Sequence, residues 1–327
     1  MRAGLIKVTH FGQKCMVEKD PLKMALVPIS GDGFHQGILV HERYVPDGFK
    51  HKKVSLRGRV RGRTLYCLLD EPISYQGQNY SILNFKGAGA DYEGEELLIR
   101  SNHTHSGGQM FPRESQTHSP WGGITLRSAQ REAKFRLFFE HGIVFSPAIS
   151  VDLIPDAIQR TIGAREQDEL CQLKRGTSTS IRVNEANRFG EKLDLELFAR
   201  IIAQQIRLEV KLIQKNKLLM FNGRMTDNWY LDGMLTDAEN YTLVNSYEHP
   251  QYQGEKRFER SDGELITATS TRMFLGIAEL LSKMDRKQFI EQTKSAVKQE
   301  FPNPSDFEST LIGYYFIRIE ILESAME

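Results

Sequence analysis

The segment Thr226-Asp227-Asn228-Trp229-Tyr230-Leu231-Asp232-Gly233-Met234-Leu235-Thr236-Asp237 sets a carboxylate beside an amide, then adds a short apolar connection and a second acidic residue. Such oxygens are hard ligands, suited to a magnesium ion that holds nucleotide phosphates. Kinase-type enzymes use this arrangement, with an Asn from the catalytic loop and an Asp further on. Asp-Asn is equally ordinary turn chemistry, because both side chains cap local backbone groups.

Three further positions carry charge in suggestive places. Lys86 closes the run Tyr80-Ser81-Ile82-Leu83-Asn84-Phe85-Lys86, which is rich in β-branched and aromatic residues and reads as a strand. A lysine at a strand end can pair with phosphate oxygens and be held by a helix glutamate, here Glu132. The same lysine also fits a solvated edge strand, and Glu132 fits an exposed i, i+4 contact with Arg136. Read as partly exposed, Lys86 would add little to stability. Arg182 and Arg188 frame Ile181-Arg182-Val183-Asn184-Glu185-Ala186-Asn187-Arg188-Phe189-Gly190. Guanidinium forks grip phosphate, although spaced arginines are also common surface charges.

The elements that must position these residues run from strands to helices. Val54-Ser55-Leu56 and Thr64-Leu65-Tyr66-Cys67-Leu68-Leu69 flank Arg57-Gly58-Arg59-Val60-Arg61-Gly62-Arg63, which reads as a hairpin with a glycine tip. The strand at 80–86 stops at Gly87-Ala88-Gly89. Residues 101–123, with Gly, Pro, Ser and His103, His105 and His118, read as a long polar loop. The histidines have no acidic or thiolate partner at a recognisable ligand spacing. A helix is predicted over 126–139, stopped by Gly142, and Pro147 and Pro155 bracket an apolar segment able to return to a sheet. Leu193, Leu197 and Ile201, with Phe198, Ile202 and Ile206, recur at i, i+4 and define a buried helix face. Three more helices are predicted at 271–284, 286–300 and 306–324. The expected fold is α+β and bilobal, with a strand-rich lobe over 1–165 and a helical lobe over 166–327.

Composition narrows the function classes. Across 327 residues, 40% are hydrophobic and 26% charged, a globular balance that excludes disorder and collagen-like sequence. A mean hydropathy of −0.43 and the lack of a long uncharged apolar run argue against a membrane partner. Lys and Arg number 43 against 42 Asp and Glu, so no bulk attraction toward nucleic acid is expected. The cysteines Cys15, Cys67 and Cys171 are too few and too scattered for a disulfide framework or a zinc site. The N-terminus has no signal-peptide pattern, and a cytoplasmic protein is expected.

Taken together, these fragments resemble the selenoprotein O family. The resemblance rests on Asn84-Phe85-Lys86-Gly87-Ala88-Gly89, Leu126-Arg127-Ser128-Ala129-Gln130-Arg131-Glu132, Arg182-Val183 through Arg188-Phe189-Gly190, and Thr226-Asp227-Asn228 with Asp237. Order and approximate spacing agree across about residues 54–240. The resemblance implies a protein-kinase-like fold with a shortened helical C-lobe. It also implies transfer of AMP from ATP to hydroxyls of a protein or peptide substrate, with the nucleotide reversed relative to ordinary kinases. Carried over, Lys86 holds phosphate, Glu132 orients Lys86, and Asn228 and Asp237 ligate Mg2+ or Mn2+. Asp227 lies next to the incoming hydroxyl as general base or positioning group, and Arg182 and Arg188 grip the outer phosphates. Gly58, Gly62 and Arg63 resemble the family's glycine-containing turn before its lysine strand, which would place them at the nucleotide.

The departures are specific. Residues 101–123 are an insertion where the family has a short turn. Its His-Gln-Phe-Gly element has no counterpart in register, since Phe34-His35-Gln36-Gly37 lies too early. One residue is missing between the arginines and another before Thr226. The chain after Asp237 is short and contains no cysteine, so redox control from that end is not expected. The same residues would also serve a phosphotransferase with ATP in the ordinary pose, or a nucleotide-binding pseudoenzyme scaffold. Residue types alone do not fix which phosphorus faces Asp227.

Overall fold

Two antiparallel sheets build the first part of the chain. In the computed structural model, residues 22–29, 36–61, 64–88, 123–134, 146–162, 169–216, 218–220, 226–236, 241–243 and 272–326 are described. Of these, residues up to Ser180 form one compact unit and those from Ile181 onward a second. The mixture of sheet and helix agrees with the α+β expectation. The insertion at 101–123, apart from Gly123, lies outside the described residues.

The smaller sheet holds β1 (Leu22–Pro28), β2 (Gly37–Val40) and β3 (Lys52–Leu56) in the order β2-β1-β3. The larger sheet runs β4 (Gly58–Arg61), β5 (Thr64–Tyr75), β6 (Gln78–Lys86), β9 (Leu170–Thr177). Two further strands also pair with β9, namely β7 (Ile124–Thr125) and β8 (Ala148–Leu153). The expected hairpin is thereby redrawn. Val54 pairs with Met24 in the small sheet, and Gly58–Arg61 is the strand that pairs with β5, Arg59 lying opposite Tyr66. The alternation in Val54-Ser55-Leu56 defines which face is buried but not which strand lies beside it.

One face of β5 and β6 supplies Leu65, Cys67, Leu83 and Phe85, which pack with Met24, Leu26 and Leu39 of the small sheet. This is the main core of the first unit. The small sheet's other face, through Ala25, Val27, Ile38 and Val40, meets Ile154 and Ile158 at helix α2 (Asp156–Ile162). The opposite face of β9 packs Cys171 and Leu173 against Ile124 and against Ala129 of helix α1 (Leu126–Lys134).

Strand β7 continues the line of β6 along one edge of β9. Lys86 lies opposite Leu173, and Ile124 lies opposite Cys171, two positions further along. The chain leaves the sheet at Gly87 and resumes it at Ile124. Gly87 has φ of 88°, and a Cβ there would stand 2.6 Å from Ile124 Cγ2 and 2.7 Å from the Cys171 carbonyl oxygen. Only glycine tolerates both the left-handed backbone and that approach.

The second unit is mainly helical. It contains α3 (Leu195–Asn216), α4 (residues 272–280), α5 (Lys283–Glu300) and α6 (Asp306–Ser324). The expected helix over 271–284 ends early because Ser282 is an N-cap. Its hydroxyl accepts from the Asp285 amide and starts α5. Ser305 and Glu308 form a capping box at the start of α6. Phe198 and Ile202 of α3 and Phe289 and Val297 of α5 are buried. Phe274 of α4 stacks on Phe289 and meets Tyr315 of α6 edge-on. Among the described residues no helix is long and apolar enough to cross a membrane.

Candidate functional site

Lys86, Glu132 and Arg175 form a buried charged cluster in the first unit. Lys86 is the last residue of β6, an interior strand between β5 and β9, so it is not the solvated edge lysine that local sequence allowed. Only 3% of it is exposed. Its ammonium donates to Glu132 Oε1. Glu132 comes from α1, which starts straight after β7, and Thr125 Oγ1 accepts from the Ser128 amide at that start. The Leu126 amide, bonded 2.8 Å from the Glu169 carbonyl oxygen, fixes the helix against the beginning of β9. Glu132 is therefore a buried, sheet-facing group; Arg136, the other partner that the sequence allowed, lies outside the described residues.

Arg175 belongs to the cluster although no motif in the sequence marks it. It lies in the middle of β9, opposite Asn84 on one side and Ala148 on the other, and is fully buried. Its guanidinium pairs with Glu132 Oε2. The one signal for it was two adjacent basic residues, Lys174-Arg175, inside the short run Leu170–Thr177. Adjacent strand residues point to opposite faces. Arg175 thus reaches α1, while Lys174 turns the other way and donates to Asp152 Oδ2 at 2.7 Å. Burial pushes the Lys174 pKa below its ordinary value, and the hydrogen bond and charge of Asp152 offset this only in part.

The second cluster belongs to the second unit and rests on two crossing backbone segments. The Val183 amide donates to the Trp229 carbonyl at 2.8 Å, and the Leu231 amide donates to the Ile181 carbonyl at 3.1 Å. Arg182 and Tyr230 are bridge partners. Trp229 and Tyr230 lead into a tight turn in which Gly233, at φ 82°, returns its amide to the Tyr230 carbonyl. The returning strand donates the Thr236 amide to the Asn228 carbonyl at 2.9 Å. The residue before Asp237 is thereby set against Asn228. Asp237 itself, with Gly62 and Arg63, lies outside the described residues.

Arg182 is 5% exposed and donates to the main-chain carbonyl of Asp227. Its guanidinium carbon lies 5.6 Å from the Tyr230 ring centroid. Asn228 is buried. The Asp227 side chain keeps one buried oxygen, Oδ1, without a hydrogen-bond partner. Such an orphaned carboxylate oxygen fits a cation or a hydroxyl donor, since leaving it unsatisfied costs free energy. Arg188 is exposed at the end of a 3-10 turn, 5.8 Å from the Phe189 ring centroid. Gly58 sits inside β4, where a side chain would collide with the Tyr66 backbone of β5. Among the described residues no three His, Cys, Asp or Glu side chains cluster as a metal site.

No known protein-family profile matches the chain, and no curated protein sequence is significantly similar to it. A solved structure that resembles it is that of a mutant of the PAN3 pseudokinase from Neurospora crassa, with a TM-score of 0.32 and 10% identity. The match covers 80% of this chain and 57% of the pseudokinase chain. Similarity at that level does not define a shared fold.

Proposed function

We propose that the protein is an ATP-dependent nucleotidyltransferase of the protein-kinase-like type, in which a hydroxyl of a protein or peptide attacks the α-phosphorus of ATP, takes AMP and releases pyrophosphate. The observation that carries this reading is the buried pairing of Lys86 with Glu132. A strand lysine held by a helix glutamate is the kinase-type device for orienting nucleotide phosphates. Neutral composition and the selenoprotein O-like motifs supply the rest, and those motifs, not geometry, favour AMP over phosphoryl transfer.

In this reading Lys86 holds a phosphate oxygen and Glu132 fixes its ammonium. Asn228 and Asp237 hold a divalent cation, which when bound neutralises charge developing on phosphate oxygens. Asp227, through its unpartnered Oδ1, takes the hydrogen bond of the acceptor hydroxyl and then its proton. Arg182 steadies Asp227 from the main chain and, with Arg188, grips the outer phosphates.

The deciding experiment is incubation with magnesium or manganese and ATP labelled at either the α or the γ phosphate, with Asp237→Ala as control. Label from α-ATP alone on a protein acceptor is the expected result. Label from γ-ATP alone makes the protein a phosphotransferase. ATP binding with no label in either case makes it a nucleotide-binding scaffold.

A further inference from the structure

The two carboxylate oxygens of Glu132 are divided between two cations of different character. Oε1 meets Lys86 and Oε2 meets Arg175, and all three side chains are buried. Lys86 stands at the end of β6, next to Gly87, where the chain leaves the sheet. Arg175 stands mid-strand, with paired strands on both sides. A lysine carries its charge on a flexible four-carbon stem, whereas an arginine fork is planar and pre-organised. The two cations thus differ in the stiffness of the side chain and in their place along the strand, one at its end and the other inside it.

We propose that Arg175 is a positioning residue that anchors Glu132, and with it helix α1, to strand β9 independently of Lys86. This rests on the reading of Lys86 as the phosphate-holding residue. When Lys86 turns to an anionic ligand, Glu132 keeps a buried counter-ion and is not left as an unpaired charge, which a protein interior penalises strongly. The helix has no reason to swing away when the lysine is engaged. The Lys86–Glu132 pairing is then a standing feature of the fold and not a switch that must be closed.

The test compares hydrogen exchange of α1 amides (126–134) in the wild type, Lys86→Met, Arg175→Met and Arg175→Lys, using β6 amides to report global opening. Relative to β6, Arg175→Met should speed α1 exchange by about tenfold or more, and Lys86→Met by less than about threefold. Equal loosening by both variants, or no change in Arg175→Met, overturns the proposal. Should Arg175→Met fail to fold, Arg175→Lys takes its place and must still loosen α1 more than Lys86→Met does. The opposite order is a refutation. This arm needs no nucleotide, so its outcome is separate from whether ATP binds. A second arm titrates magnesium-ATP. If the wild type binds it, Arg175→Met or its lysine substitute should weaken binding, and unchanged affinity rejects the positioning role. If the wild type does not bind it, the nucleotide reading falls while the exchange order still decides the anchor.

Discussion

The Arg182 guanidinium is bonded to the main-chain carbonyl of Asp227 and leaves that residue's carboxylate oxygen Oδ1 unpartnered. The arginine therefore holds the backbone under the acidic residue and leaves its carboxylate out of that bond. Arg182→Ala should destabilise the protein by about 1.5–3 kcal/mol, the range for a hydrogen bond to a charged group. Urea unfolding should show a lower midpoint at unchanged slope. Arg182→Lys should recover part of the loss, because it keeps the charge but not the fork.

Asp227→Asn separates chemistry from stability. A buried carboxylate oxygen without a partner is a cost to the native state, so removing its charge should leave the unfolding midpoint level or raised. Transfer of the α-label should nevertheless fall by about 10²–10⁴-fold, the range for losing a general base. A variant that keeps full transfer would remove Asp227 from the reaction.

The charged cluster of the first unit gives an ordering of stabilities. Glu132→Gln leaves Lys86 and Arg175 buried together without their shared carboxylate, and should cost about 3–5 kcal/mol. Lys86→Met leaves Glu132 paired with Arg175 and should cost less, about 1–2 kcal/mol. Equilibrium denaturation of the two variants checks the order. The loss is larger than a partly exposed lysine would cause, because Lys86 is 3% exposed.

Much of this was legible in the residues, and the remainder has identifiable causes. Leu193–Ile206 spells a helix through its i, i+4 apolar face, and α3 carries that face over Leu195–Asn216. Lys86 and Glu132 could be paired from motifs 46 positions apart because each had a characteristic neighbourhood. Val54–Leu56 joins β1 and not β5, a pairing that alternation cannot specify because it reports a face and is silent about the adjacent strand. Arg175 is illegible in the sequence for a related reason. Its role depends on α1 crossing β9, a tertiary event, and nothing local marks an arginine in a short strand as buried.

Lys174 provides a pH-dependent prediction. Its pKa in the folded chain lies below the ordinary 10.5, chiefly through burial. Between the lowered value and 10.5 the unfolded chain binds more protons at this site, so the native state gains stability as pH rises through that window. Below the window the penalty is present in full. The wild type should therefore gain on Lys174→Met in urea midpoint as pH is raised from neutrality toward 10.5. A constant gap across that range would place the folded-state pKa at its ordinary value.

The collinear seating of β6 and β7 makes chain length between them nearly a free variable. Gly87 and Ile124 come together at one point on β9, with a Cβ on Gly87 only 3.3 Å from the Ile124 nitrogen. Chain inserted at such a junction enters and leaves at one place, and closure entropy grows only by about 0.6 kcal/mol for each doubling of the inserted length. Proteins built on this plan could lengthen, shorten or replace the spliced segment while the Lys86–Glu132 pairing stays where it is. Variation in length and composition can accumulate at that seam without disturbing the register of the sheet.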